Sequence, residues 1–255
     1  MMRKYIFSVA FVFTFFSCAE LVQVASSVGT GLLTQGTATN AENAAGLKNA
    51  LSLGIESAVA NLGKSNGFLG DAALKILLPQ EAQSIVENIK VIPGGQALVD
   101  KAVQSLNAAA SDAVQSATPI FKNAITGMSI TDAAGILFGG KSAATDYLKN
   151  KTYSQLTAAF APKVNESLGK KLIGSTSTSQ AWNSLTSAYN QVAGTAVGAV
   201  AGMKPVNVNL EQYVTQKALD ALFVKIANEE TSIRTNPQAR VNSLLQKVFG
   251  QLDSK

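Results

Sequence analysis

Apolar residues recur every three or four positions through most of this chain, and this spacing constrains its fold more than any other feature. The first clear run passes through Leu47, Leu51, Ile55 and Leu62, which places these side chains on one face of a helix. No segment shows the two-residue alternation of a strand, and no repeat of fixed period is present. We therefore predict an all-α fold, a single multi-helix bundle.

Proline, glycine and capping residues divide the bundle into helices. The Ile92–Gly95 sequence IPGG is predicted to stop one helix, and Pro119 to kink or restart another. Ser129 and Asp132 have the spacing of a capping box, and Asn209 is predicted to cap the helix that begins at Leu210. Pro162 is predicted to break a later helix near its middle. The expected helices cover residues 43–62, 80–90, 96–118, 120–128, 130–138, 143–150, 153–172, 210–230 and 241–249, and residues 181–203 are ambiguous.

The N-terminal residues have the layout of an export signal. Basic residues 3–4 precede the apolar run 5–16, which is shorter than the roughly 20 residues that span a bilayer. Two processing routes are open. Cys18, the only cysteine, could become the lipidated first residue of the mature chain, or an ordinary cleavage could follow Ala19. A cysteine used nowhere else favours the lipid anchor.

These patterns predict three parts. A lipoprotein-type signal peptide covers residues 1–17, a flexible tether of small and polar residues covers 18–42, and the helical domain covers 43–250. We expect the protein to be exported to the cell envelope. Because Ala19 rather than aspartate follows Cys18, lipidation would favour the outer membrane, with the domain facing the periplasm. Without lipidation the domain would be soluble in the periplasm.

The composition argues against several chemistries. The chain has no histidine, which excludes Ser-His-Asp and Cys-His catalysis and histidine-ligated metals. Because the only cysteine is assigned to the signal region, zinc, copper, haem and iron–sulfur sites also lack ligands. No cofactor is therefore predicted. The net charge is +5, but the basic residues are scattered, and we predict no nucleic-acid partner.

One segment matches a nucleotide-binding motif. Residues 135–142 fit the phosphate-binding pattern G-x-x-x-x-G-K-S, in which Lys141 would reach the phosphates. A phosphate-binding loop requires a strand before it. Residues 135–142 are instead preceded, and partly overlapped, by the predicted capped helix 130–138. We therefore predict no nucleotide partner.

Polar residues on three segments form a candidate cluster. Glu230 and Arg234 are four residues apart, a spacing that favours a helix ion pair, and Lys217 and Asp220 could pair in the same way. The alternative is that several of the acids converge in one cleft, which would support a carboxylate-dependent hydrolase or a cation-binding protein. The cluster consists of Asp132, Thr145, Asp146, Lys217, Asp220, Glu229, Glu230 and Arg234.

The order of segments resembles a known bacterial family, domain of unknown function 4197. The resemblance is carried along residues 43–250 by LGKSNGFLG (62–70), LNAAASDAVQSATPIF (106–121), MSITDAAGILFGGKSAATDYL (128–148), FAPKV (160–164), YVTQKALDALF (213–223), EETSIRTNP (229–237) and LLQKVFG (244–250). It implies a helical exported domain and brings no known activity, substrate or cofactor. The serine/threonine loop 174–180 and the glycine-rich stretch 193–203 depart from the family pattern.

Taken together, the sequence predicts a non-enzymatic binding or interaction module held at the membrane by a lipid on Cys18. Its partner would be another protein or an apolar ligand. A continuous apolar cavity of a few hundred Å³ would favour the ligand, whereas a filled core would leave the protein partner.

Overall fold

The computed structural model describes residues 38–88 and 94–253, and all regular structure in these two ranges is helical. An isolated bridge between Ile173 and Thr176 is the one β-type pairing there. The all-α prediction is therefore confirmed. The predicted signal peptide, Cys18 and most of the predicted tether lie outside the described residues. The α-helices are α1 (Asn40–Leu62), α2 (Gln83–Glu87), α3 (Gly95–Val114), α4 (Thr118–Thr126), α5 (Ile130–Leu137), α6 (Ala143–Gly169), α7 (Thr178–Ala193), α8 (Ala196–Val200), α9 (Leu210–Thr235) and α10 (Ser243–Gly250).

Helix α1 begins three residues before the predicted start. Thr39 and Glu42 form a capping box, in which the Glu42 amide donates to Thr39 Oγ1 at 3.2 Å and the Thr39 amide donates to Glu42 Oε2 at 2.8 Å. This arrangement satisfies two backbone donors that the first turn otherwise leaves unpaired. The apolar pattern starts only at Asn43, so periodicity alone missed this first turn.

Helix α9 occupies the centre of the bundle and packs against α6, α1 and α3. Helix α3 also contacts α6 and α7, while α1 contacts α4, α5 and α10. Gly46 lets α1 and α10 approach closely, because a Cβ atom at this position would lie 2.6 Å from Cγ2 of Val248. The predicted N-cap Asn209 is confirmed, since its side chain accepts from the Gln212 amide at 2.9 Å.

The predicted break at Pro162 is wrong: α6 is one helix from Ala143 to Gly169, and it merges the two predicted helices. Its buried stripe recurs every four residues on both sides of the proline, so packing holds the helix together. Pro162 itself faces solvent, and so does Ala158, whose carbonyl loses its helical donor. Water can hydrate that carbonyl. The stripe consists of Leu148, Thr152, Leu156, Phe160, Val164 and Leu168.

Other boundaries follow the sequence signals more closely. A 3₁₀ turn at Gln115–Ala117 separates α3 from α4, where Pro119 was predicted to restart the helix. The expected helix 80–90 is shorter, with a 3₁₀ turn at Gln80–Ala82 followed by α2. The ambiguous stretch 181–203 contains most of α7 and all of α8.

The buried apolar side chains form one continuous cluster that draws on every helix except α8. A small pocket between α1, α6, α9 and α10 has a volume of about 10 Å³, which is about the space of one water molecule. No helix in the described part of the chain is both long and apolar enough to cross a membrane.

Candidate functional site

The buried ion pair of α9 is the tightest polar cluster among the predicted site residues. Arg234 Nε donates to Glu230 Oε1 at 2.8 Å, and both side chains are 5% exposed. The same carboxylate accepts from the amides of Ala144 and Thr145 at 2.9 and 2.8 Å and from Thr145 Oγ1 at 2.7 Å. Glu230 therefore caps the N-terminus of α6.

Arg234 performs the matching role at the end of α5. Its two terminal nitrogens donate to the carbonyl oxygens of Leu137 and Ile136 at 2.8 and 2.9 Å. Each oxygen of Glu230 already accepts two hydrogen bonds, so the carboxylate has no free position for a substrate proton or a cation. The pair thus joins α5, α6 and α9. The helix ion pair that the sequence predicts for Glu230 and Arg234 is confirmed. The sequence did not indicate that the pair is buried.

The carboxylates of Asp132 and Asp146 each accept hydrogen bonds near a helix N-terminus. Asp132 Oδ2 accepts from Ser129 Oγ at 2.7 Å and from the Ser129 amide at 3.2 Å, and these bonds lower the pKa of its carboxyl. The predicted capping box is confirmed. Tyr147 Oη lies 3.5 Å from the same oxygen. Asp146 accepts from Ser142 Oγ at 2.9 Å, and Ser142 is the residue directly before α6.

The remaining predicted residues lie elsewhere. Glu229 accepts from Ser57 Oγ on α1 at 2.7 Å. Lys217 lies over the ring of Tyr213 at 5.9 Å and forms no ion pair with Asp220 in residues 38–88 and 94–253. Within the same ranges no three acids gather as a metal site would require. The structure brings together Thr145, Glu230 and Arg234, and it disperses the other members of the predicted cluster.

Residues 135–142 do not have the local structure of a phosphate-binding loop. Gly135 lies inside α5, and the capping box at Ser129 starts that helix where a P-loop requires a strand. The predicted helix before the motif is therefore confirmed. Lys141 is exposed in the turn between α5 and α6.

The main surface depressions flank an extended segment within residues 68–79, for which the sequence predicts a loop with a short helical turn or an extended piece. In residues 75–78, which we call the ridge, Ile76 and Leu78 are buried while Lys75 and Leu77 are exposed. Such alternation is typical of an extended backbone. One groove, of about 520 Å³, lies on the α3 side of the ridge, and a second, of about 590 Å³, lies on the α9 side. Both grooves are open to solvent. We call them the α3 groove and the α9 groove.

Several polar contacts hold the ridge in place. Asn107 on α3 donates to the Ile76 carbonyl at 2.7 Å and accepts from the Ile76 amide at 2.9 Å. Tyr213 Oη on α9 donates to the Leu77 carbonyl at 2.9 Å, and burial raises the pKa of that phenol. The ridge is therefore fixed to both α3 and α9.

An ion pair secures the segment that leads into the ridge. Lys225 Nζ on α9 lies 2.8 Å from Asp71 Oδ2, and its hydrogen bond lowers the pKa of the Asp71 carboxyl. The two side chains are about 30% exposed. Together with the Asn107 and Tyr213 contacts, this ion pair fixes the position of the ridge on the bundle.

The grooves combine exposed apolar side chains with charges of both signs. Leu77 is 57% exposed, Val86 44% and Val224 46%. Lys217 and Asp220, two members of the predicted cluster, line the α9 groove. This site could have been suspected from the sequence KILLP, in which apolar residues stand before Pro79 without helical spacing. The other charged residues along the grooves are Lys75, Glu81 and Asp100.

Comparison with known proteins supplies a family but no activity. A family model described as "Protein of unknown function (DUF4197)" matches residues 37–250. No curated protein matches the chain, and no solved structure matches it.

Proposed function

We propose that this chain, which belongs to the DUF4197 family of proteins of unknown function, is an exported binding module held at the cell envelope by a lipid on Cys18. Its partner is an apolar segment of another protein that lies in the grooves beside the ridge. The exposure of Leu77 between the two grooves is the observation that carries this proposal.

The shape of the empty space favours a protein segment over an enclosed apolar ligand. The small pocket between α1, α6, α9 and α10 has room for about one water molecule, whereas the two grooves are open and each exceeds 500 Å³. Carriers of apolar small molecules bury most of the ligand surface, and an open groove cannot do this. An extended or helical segment needs burial on one side only.

The chemistry of the ridge also suits a polypeptide. Leu77 and Val224 offer apolar contacts, while Lys75, Lys217 and Asp220 along the grooves can pair with charges or backbone groups of a partner. Interfaces of this kind combine an apolar centre with a polar rim. In the described residues the Leu77 amide donates to no acceptor, so it is available to an incoming backbone.

Export and anchoring rest on the sequence of residues 1–19. A basic start, a short apolar run and a cysteine after Ser17 together are typical of a lipoprotein signal. Metabolic labelling with radioactive palmitate tests this directly. We expect label in the wild-type chain and none in Cys18→Ala, and an unlabelled wild-type chain would contradict the anchor.

Crosslinking in the native envelope followed by affinity purification tests the groove. We expect one defined protein to be recovered with the wild-type chain and lost with the double variant Leu77→Asp, Val224→Asp. Val241→Asp is the matched control, because Val241 is 72% exposed and lines neither groove. Equal recovery with all three chains would contradict the proposed site.

A further inference from the structure

A second exposed apolar surface lies at the short helix α8. Val200 is 91% exposed and Val197 63%, and Ala196, Ala199 and Ala201 are exposed beside them. We call residues 196–201 the α8 tip. Single exposed apolar residues are ordinary, but here no polar side chain interrupts the stretch. A contiguous patch of this kind marks a surface that contacts something other than water.

The fold holds this tip in a defined position. Gly198 is the one buried member, and a Cβ atom there would lie 2.2 Å from the Val192 carbonyl oxygen and 2.6 Å from the Ala193 Cα. Only glycine permits so close an approach. With Gly198 packed inward, the valines on either side must face outward.

Bonds on both sides of Gly198 secure the arrangement. Thr195 Oγ1 accepts from the Gly198 amide at 3.2 Å, and the Gly198 carbonyl accepts from the Met203 amide at 2.9 Å. Met203 and Val206, which follow the tip, are each 5% exposed and anchor the chain in the core. The exposure of the valines is therefore a property of the packed structure.

The charge pattern around the tip identifies the surface that it fits. The sequence contains no aspartate or glutamate between Glu166 and Glu211, whereas Lys170, Lys171 and Lys204 lie in that interval. Lys204 is exposed three residues after the tip. Apolar side chains next to a lysine, with no acid nearby in the chain, suit the interface of a bilayer that contains anionic phospholipid.

The anchor allows this face to reach the membrane. Ala38 lies twenty positions after Cys18 in the sequence, and a chain of that length spans at most about 70 Å. A domain of some 215 residues has a radius of gyration of only about 17 Å. This length is several times the radius of gyration of the domain, so we take surface chemistry as the guide to which face contacts the bilayer. Tethering also raises the effective concentration of the lipid surface, so a weak contact is sufficient.

We propose that the α8 tip rests on the membrane, with Val197 and Val200 among the lipid headgroups and Lys204 beside anionic phosphate. This inference rests on the lipid anchor of the proposed function. It gives the domain a preferred orientation on the membrane, and it assigns a role to the glycine-rich stretch that departs from the family pattern.

The test uses the full-length chain with Val200→Cys, labelled with the environment-sensitive dye NBD. Lipidation occupies the thiol of Cys18, so the new cysteine is the only reactive one, and the wild-type chain treated with the dye reports any free Cys18. The labelled chain is reconstituted on vesicles of phosphatidylethanolamine and phosphatidylglycerol. Val241→Cys, labelled in the same way, is the control at a similarly exposed valine.

We expect NBD emission at position 200 to shift to the blue and rise several-fold, while emission at position 241 keeps its value in water. Omitting phosphatidylglycerol, or adding Lys204→Glu, should reduce the rise at position 200. Flotation of the vesicles is measured in the same samples. A chain that floats with the vesicles but gives water-like emission at position 200 overturns the tip contact alone. A chain that does not float overturns the anchor, and the tip proposal falls with it.

Discussion

At the scale of single residues, this protein uses its few buried charges to join helix ends. Glu230 caps α6 and Arg234 binds the last carbonyls of α5. Arg240, 3% exposed, donates to the carbonyls of Ile233 and Arg234 at the end of α9. Opposite charges are placed where each helix dipole favours them. The buried charges therefore serve the fold.

Removal of the Glu230 carboxylate should be strongly destabilising. Glu230→Ala leaves Arg234 buried without its anion and deprives the first turn of α6 of its acceptor, so we expect the free energy of unfolding to fall by about 3–5 kcal/mol. Denaturant titration measures this loss. Glu229→Ala is the matched control, because Glu229 is only half-buried and accepts one hydrogen bond, from Ser57. We expect its removal to cost about 1 kcal/mol. Equal losses for the two variants would contradict the role of the Glu230–Arg234 pair in joining the helix ends.

Glu42 should contribute to stability in a defined range of pH. The hydrogen bond from Lys247 Nζ, at 2.6 Å, is the main cause that lowers the pKa of Glu42 from 4.5 to about 2. A carboxyl whose pKa is lower in the folded state stabilises the fold above its unfolded pKa, and the contribution is lost as the pH falls through the folded value.

Thermal melts should therefore show a pH-dependent difference between the wild-type chain and Glu42→Gln. We expect the wild-type chain to melt at the higher temperature at pH 7 and the two melting temperatures to converge between pH 4.5 and about 2. A difference that persists unchanged to pH 2 would show that the carboxylate is not the group responsible.

At the scale of helices, α6 shows that a long stripe of buried residues can keep a helix continuous through a proline. Pro162 removes one hydrogen bond from α6, yet Phe160 and Val164 on either side are fully buried. Proline in a helix interior costs about 3 kcal/mol relative to alanine. Packing along the whole length of α6 offsets this cost.

Pro162→Ala should consequently stabilise the protein. The substitution restores the amide donor to an exposed turn, and after the greater freedom of the unfolded chain is subtracted we expect a gain of about 1–2 kcal/mol. Lys163→Ala in the same exposed turn serves as control, with an expected change below about 0.5 kcal/mol. A loss of stability in Pro162→Ala, measured by denaturant titration, would contradict a continuous, unstrained α6.

The comparison of sequence and structure shows which signals suffice for helices. Caps with a specific residue spacing, as at Ser129 and Asn209, were found because their chemistry is local. The first turn of α1 was missed because Thr39 and Glu42 precede the apolar pattern. The position of Glu230 beneath the start of α6 depends on contacts across 86 residues of chain, and no local pattern encodes such a contact.

The sequence predicts a loop with a possible extended piece at the ridge, but not its contacts, for a similar reason. Ile76 and Leu78 become a buried edge only because Asn107 and Tyr213, distant in sequence, bind the backbone between them. From the sequence alone, residues 68–79 are a loop with a short helical turn or an extended piece. Of the predicted cluster, Lys217 and Asp220 lie in the α9 groove, but as parts of its rim and without the predicted ion pair.

At the scale of the whole molecule, a filled core and an open surface point to the same role. The small pocket between α1, α6, α9 and α10 has room for about one water molecule, and the ridge offers exposed Leu77 between two grooves. With the proposed anchor on Cys18, we infer a tethered helical domain that holds a segment of another protein beside residues 75–78.

The most direct test of this account is photo-crosslinking in living cells from a benzoylphenylalanine placed at position 77, with position 241 as the control. We expect position 77 to crosslink to one segment of one partner protein, identified by mass spectrometry, and position 241 to give no such crosslink. Equal crosslinking from both positions, or attachment from position 77 only to this chain's own residues 19–37, would contradict it.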